Sequence, residues 1–259
     1  MNMIRMSLLA GVIGMGLGGL FTTFFGSRTE TMISIFLSFA GGVMMSVVFV
    51  ALIPDAIGHA NIGVAVIGLI IGAFLVLLLH NIIDRISNTD KSTSKLHESY
   101  AEFFHAREMI DNKKSMLRSG MILLFAIALH NIPEGLALGA AGYHDTTLGL
   151  TLAIIIGLHN IPEGMAISAP LISGGLSKIK AVALTFIAGA TTVIGAVIGV
   201  MIGGISDLAL ALSFSIAGGA MLYVVLGEIL PQSIVTNKDR IPTIFALVGI
   251  IIGMLFTEI

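Results

Sequence analysis

SGMILLFAIALHNIPEGLALGAA, from Ser119 to Ala141, decides what kind of molecule this is. It is apolar over a length that crosses ~30 Å of hydrocarbon as a helix. Its centre nevertheless holds His130, Asn131, Pro133 and Glu134. The hexapeptide HNIPEG (His130–Gly135) then returns unchanged as His159–Gly164, inside the next apolar run. Ionisable groups at membrane depth are unfavourable unless paired or ligated, and by default they mark an ion path.

Working outward from this stretch, eight apolar runs span roughly 3–25, 31–57, 62–85, 119–141, 147–172, 178–202, 207–231 and 241–258. The chain is 56% hydrophobic and 11% charged, with a mean hydropathy of +1.03; a soluble domain carries about 25% charged residues. The runs are too long for barrel strands, and within lipid each segment must satisfy its own backbone. The reading is therefore all-α: a polytopic membrane protein with eight transmembrane helices, forming one transmembrane domain over residues 1–259. The first run exceeds the apolar region of a secretory signal and shows no convincing cleavage site, so it counts as the first span. The chain has no cysteine, which excludes disulfides and thiolate metal chemistry. No basic stripe points to nucleic acid; the expected partners are the lipid bilayer and a small ion.

Orientation follows from the cations. Arg28 follows span one, and Arg85, Lys91, Lys95, Arg107, Lys113, Lys114 and Arg118 lie between spans three and four. Lys178 and Lys180 follow span five, Lys238 and Arg240 follow span seven, and Arg5 alone lies on the other side. The positive-inside rule then places both termini outside the cytoplasm. The one long polar segment, 86–118, becomes a cytoplasmic loop. Within it Leu96, Tyr100, Phe103, Phe104 and Ile110 suit an amphipathic surface helix, with Glu98, Glu102 and His105 on one face and His97 nearby. That face reads as solvated, with a regulatory metal site as the sharper alternative. Most of the 31 glycines lie inside the spans, among them Gly11, Gly14, Gly18, Gly41, Gly42, Gly195, Gly199, Gly203, Gly218 and Gly219. Small residues let helix backbones approach in lipid, so these read as packing surfaces; a homodimer face is a further expectation.

Placed on helices, His130, Asn131 and Glu134 share one face, and so do His159, Asn160 and Glu163. Spans four and five are antiparallel neighbours, so two imidazoles, two carboxylates and two amides converge. Pro133 and Pro162 lack an N–H, so the carbonyls of Leu129 and Leu158 lose their helical partners and each helix is expected to kink. Two glutamates balance one divalent cation. Imidazole with carboxylate suits Zn²⁺, Fe²⁺, Mn²⁺, Co²⁺ or Cd²⁺ better than Ca²⁺ or Mg²⁺. Two carboxylates this close should not both stay ionised without metal, so protons should compete with the ion.

Those paired hexapeptides on spans four and five, with eight spans, outside termini and a histidine-bearing loop after span three, resemble the ZIP (zinc/iron-regulated transporter-like) family, most closely its bacterial members. FAGGVMMSVVFVALIPDAI (Phe39–Ile57) is similar to the family's second span and GGAMLYVVLGEILPQS (Gly218–Ser233) to its seventh. The resemblance implies import of divalent transition-metal ions, zinc foremost, across a plasma (inner) membrane, the metal being cargo. It further implies a strong site of His130, Glu134, His159 and Glu163, and beside it a second of Asn131, Asn160 and the same glutamates. Many relatives complete that second site with a glutamate from span six. Here Thr192 stands at that position, so one strong site and at most a weak second are expected.

Other polar residues suit a path. Asp55 and His59 end span two on the outer side and read as an entrance, while His80 and Asp84 close span three on the inner side and read as an exit. Glu228 and Gln232 share a face near the inner end of span seven. His144 and Asp145, in the outer turn, are weaker candidates. Met44, Met45, Met165 and Met221 read as packing rather than soft ligands. The competing classes are an intramembrane metalloprotease and a metal-sensing receptor. The first would want H-E-x-x-H, but Asn131 fills the base position, so the chain does not read as an enzyme. The second lacks a segment long enough for an output domain.

Overall fold

The computed structural model describes residues 3–25, 30–86, 113–144, 146–202 and 206–257. These form eight helical runs: α1 (3–25), α2 (Glu30–His59), α3 (Ile62–Ile86), α4 (Lys113–His144), α5 (Thr146–Ser173), α6 (Lys178–Ile202), α7 (Asp207–Thr236) and α8 (Ile241–Thr257). Among the described residues, six of them, α1, α2 and α4 to α7, are long and apolar enough to cross a membrane. The described apolar stretches of α3 and α8 are Ile62–Leu78 and Ile241–Leu255, and α3 continues as a helix to Ile86. The expected kinks do not interrupt the helices: α4 stays helical through Pro133, and α5 through Pro162 and Pro170. The loop expectations at His97, Glu98, Glu102 and His105, together with Gly203 and Asp145, lie outside the described residues. So do the side chains of His80, Asp84 and His144.

The outward faces are hydrocarbon. On α3, Ile62, Val66, Ile70 and Phe74 recur every fourth residue and are exposed, and on α8 Ile244, Leu247, Ile251 and Leu255 are exposed. Such contiguous apolar surface is unfavourable in water and natural in lipid. Polar groups are drawn inward instead: Ser34, Ser38, Thr185 and Ser215 are fully buried.

Packing falls into two groups. α4 packs on α6 and on α5, and α5 on α1; around them α2 pairs with α8 and α3 with α7. The two groups meet where α2 lies on α5 and α7 on α4. Glycine makes the tightest crossings possible. Gly11 of α1 and Gly189 of α6 each face the other's carbonyl with no room for a Cβ; between α2 and α8, Gly42 faces the Ala246 carbonyl and Gly249 the Phe39 carbonyl in the same way. Met44, Met165 and Met221 are buried in the core and Met45 packs against it, as their reading as packing requires.

The pairing exposes an internal repeat. AGGVMMSVVFVALIP (Ala40–Pro54) in α2 matches AGGAMLYVVLGEILP (Ala217–Pro231) in α7, and both widen into a π-helical turn at the same place, Val48–Leu52 and Val225–Ile229. Each π turn precedes a proline, Pro54 or Pro231, whose missing N–H and bulky ring do not fit an ordinary turn. The start of α2 meets the end of α7, where Ser34 Oγ donates to the Ser233 carbonyl, and the end of α2 meets the start of α7 at His59 and Asp207, so the two copies run antiparallel and the equivalence is of the inverted kind.

The turn from α5 to α6 closes with a Schellman motif. Leu176 N–H donates to Leu171 at 3.0 Å and Gly175 N–H to Ile172 at 3.0 Å, with Gly175 at φ 96°. At this end Lys178 Nζ donates to the Thr23 carbonyl at 2.8 Å. At the opposite end His59, closing α2, meets Asp207, opening α7.

Candidate metal centre

The two hexapeptides meet across the α4–α5 contact. His130 Nε2 lies 3.2 Å from Glu163 Oε1, and His159 Nε2 lies 3.3 Å from Glu134 Oε1 and 4.0 Å from Glu163 Oε1. Each histidine thus approaches the carboxylate of the other helix, not only its own neighbour one turn on. Ligand atoms of His130, Glu134 and Glu163 all lie within 4.8 Å of one another. All four side chains are at most 2% exposed.

The centre is rich in acceptors with nothing to accept. Glu134 Oε2, Glu163 Oε2, and the amide oxygens of Asn131 and Asn160 have no hydrogen-bond donor, and Glu134 Oε1 faces only the His159 ring at 3.3 Å. A buried carboxylate oxygen without a donor is strongly unfavourable, and a cation would relieve it. The asparagines are fixed through their other ends. Asn131 Nδ2 donates to the Ala188 carbonyl of α6 at 3.4 Å, and Asn160 Nδ2 to the Ala10 carbonyl of α1 at 3.0 Å. Ala10 sits in the π-helical turn Leu8–Ile13, where backbone bonding is rearranged. Both amide oxygens therefore belong to side chains held in place by a neighbouring helix.

Thr192 is fully buried on α6, one turn beyond Ala188, and its hydroxyl has no partner. A recess of about 160 Å³ between α3, α4 and α7 reaches His130, and its other walls are Leu75, Leu129, Ile132, Pro133, Ile216 and Ala220. That side offers a metal ion no oxygen ligand from a side chain.

Among the described residues, Asp55, His59 and Glu228 are not part of the buried cluster. Asp55 and His59 are half-buried at the end of α2. Glu228 is half-buried in the π-helical turn of α7. Sequence reasoning missed three features: Asp207, the backbone anchors at Ala10 and Ala188, and the α2–α7 repeat. Only the last had a plain sequence signal, the shared AGG and the proline a fixed distance beyond it.

Comparison with known proteins identifies the family. The family model described as ZIP Zinc transporter matches residues 90–258. A "Zinc transporter ZupT" of Chlorobaculum parvum is 32% identical over 96% of this chain and 92% of its own length. Another of that name from Akkermansia muciniphila is 35% identical over 98% of this chain and 94% of its own. The one from Campylobacter jejuni is 33% identical over 91% and 88%. A polytopic helical chain with paired HNIPEG helices and this breadth of similarity belongs to the ZIP zinc transporter family.

Proposed function

We propose that the protein carries divalent transition-metal ions, zinc foremost, across a membrane into the cytoplasm. The observation that carries the reading is the cluster of His130, Glu134, His159 and Glu163, two imidazoles and two carboxylates buried where two apolar helices cross. Nitrogen and oxygen donors in that ratio suit zinc, and the two carboxylates neutralise it. The ion is cargo, so binding must also be reversible.

Asn131 and Asn160 offer amide oxygens beside this cluster for a second ion. Thr192 adds a hydroxyl where a carboxylate would add charge, so we assign one tight site and a weaker second. Asp55 and His59 would serve entry; His80, Asp84 and Glu228 would line the way out. Bends at Pro133 and Pro162 would free the carbonyls of Leu129 and Leu158 beside the ion. With the basic ends of the helices facing the cytoplasm, both termini lie outside it, in a plasma membrane. The bilayer covers the exposed faces of α3 and α8, and a homodimer would have to form through such outward faces.

A protease is disfavoured because Asn131 occupies the position of the general base. A receptor would bind the ion without moving it. Zinc-free proteoliposomes with zinc supplied outside separate these readings: zinc accumulation inside vesicles, dependent on the protein and on the zinc gradient, supports transport. Binding without accumulation would leave only the receptor.

A further inference from the structure

A second group of metal-ligating side chains bridges two helices away from the buried centre. His59 Nδ1 lies 3.3 Å from Asp207 Oδ1, joining the end of α2 to the start of α7. The His59 ring stacks on Phe214, with centroids 6.0 Å apart and planes 24° apart, which sets the direction of its nitrogens. Asp207 is free of capping duty, because Ser206 Oγ accepts the Ala209 N–H at the head of α7. Asp55 stands one turn before His59 on the same helix face. The His59 and Asp207 side chains are 37% and 79% exposed, open to hydrated ions.

The internal repeat supplies an independent comparison. Aligning Pro54 with Pro231 pairs Asp55 with Gln232 and His59 with Thr236. At that opposite end the two residues are neutral and bonded to each other, Gln232 Nε2 to Thr236 Oγ1 at 3.3 Å. Equivalent positions therefore carry strong ligands at one end of the molecule and weak ones at the other.

We propose that Asp55, His59 and Asp207 form an entry site that takes a partly hydrated divalent transition-metal ion before it reaches the buried centre. The inference rests on the transport reading and assigns Asp207 a role in it. Two ligands at ~2.1 Å from a tetrahedral ion stand ~3.4 Å apart, close to the 3.3 Å between His59 and Asp207. An ion can therefore replace their mutual contact with little movement of either helix. Waters complete its shell, and exposure keeps the affinity low enough to pass the ion on. Gln232 and Thr236 at the other end offer neutral oxygens that release it.

The test uses the absence of cysteine. A His59→Cys variant in proteoliposomes carries one thiol, labelled by a membrane-impermeant maleimide. Cadmium should protect that thiol, and adding Asp207→Asn should raise the protecting concentration about tenfold, equivalent to roughly 1.4 kcal/mol. Protection should persist in Glu134→Ala/Glu163→Ala, which disables the buried centre. In uptake, His59→Ala and Asp207→Asn should raise KM with the maximal rate retained. No protection, protection indifferent to Asp207, protection lost with the central glutamates, or a reduced maximal rate at unchanged KM would each overturn the entry site. Wild-type protein that failed to move zinc would sink the transport reading, while the protection assay would still decide the entry site on its own.

Discussion

Replacing Glu163 by glutamine isolates the charge at the buried centre while keeping its shape. Glu163 Oε1 is the one atom within reach of both histidines, 3.2 Å from His130 and 4.0 Å from His159. Its partner Glu134 would remain as the one carboxylate of this centre. Losing even a supporting partner of a metal site weakens binding 10- to 100-fold, so removal of a charged ligand should weaken it by at least about 100-fold. With zinc at about 100 times the wild-type Kd, binding stabilises the wild type by about 2.7 kcal/mol, and a 100-fold weaker variant by about 0.4 kcal/mol. At about 2–4 °C per kcal/mol for a chain of this size, zinc should raise the wild-type Tm by about 5–11 °C and that of Glu163→Gln by no more than about 2 °C. Thermal unfolding of detergent-solubilised protein, with zinc and with chelator, reads both numbers. An equal zinc-dependent rise in the two proteins would refute the assignment of Glu163.

Three further outcomes follow from the same geometry. Zinc affinity should fall as pH drops from about 8 to 5, because protonation removes both lone pairs and negative charge; calorimetry in buffers of different ionisation enthalpy should record proton release on binding. Pure pH indifference would contradict a site of imidazoles and carboxylates. Thr192→Glu should raise tightly bound zinc from one ion per chain towards two, measured by elemental analysis, and an unchanged ratio would argue against the weak second site. Gly189→Val would force apart the α1–α6 crossing at Gly11; overpacking of that kind costs about 1–3 kcal/mol, so Tm in chelator should fall even with every ligand intact.

What the sequence made legible is what lipid makes obligatory. Apolar runs near the length of a bilayer crossing admit one conformation, so the eight helices were readable to within a few residues. The largest extension is α4, which begins at Lys113 rather than Ser119. Helical hydrogen bonding continues beyond the apolar stretch into its polar flank, where hydropathy is silent. The HNIPEG pair was readable because two polar clusters with identical spacing stand out against an apolar background. Its internal wiring was not. Spacing put His130 beside Glu134, whereas the tertiary crossing also sets His130 against Glu163 and His159 against Glu134. The anchoring of Asn160 on Ala10 depends on a π-helical turn that no residue of LLAGVI (Leu8–Ile13) announces. Nothing in the sequence singles out Asp207 from any other acidic residue. Its meaning comes from the packing of α7 on α2, which brings it to His59 across 148 positions of chain.

The most direct test of the central claim is zinc and cadmium uptake into proteoliposomes by the wild type beside His159→Ala and Glu163→Ala. The account predicts saturable uptake by the wild type and loss of it in both variants, because the two hexapeptides act as halves of one binding centre. Uptake at the wild-type rate in both variants would contradict it and send the ion along another route.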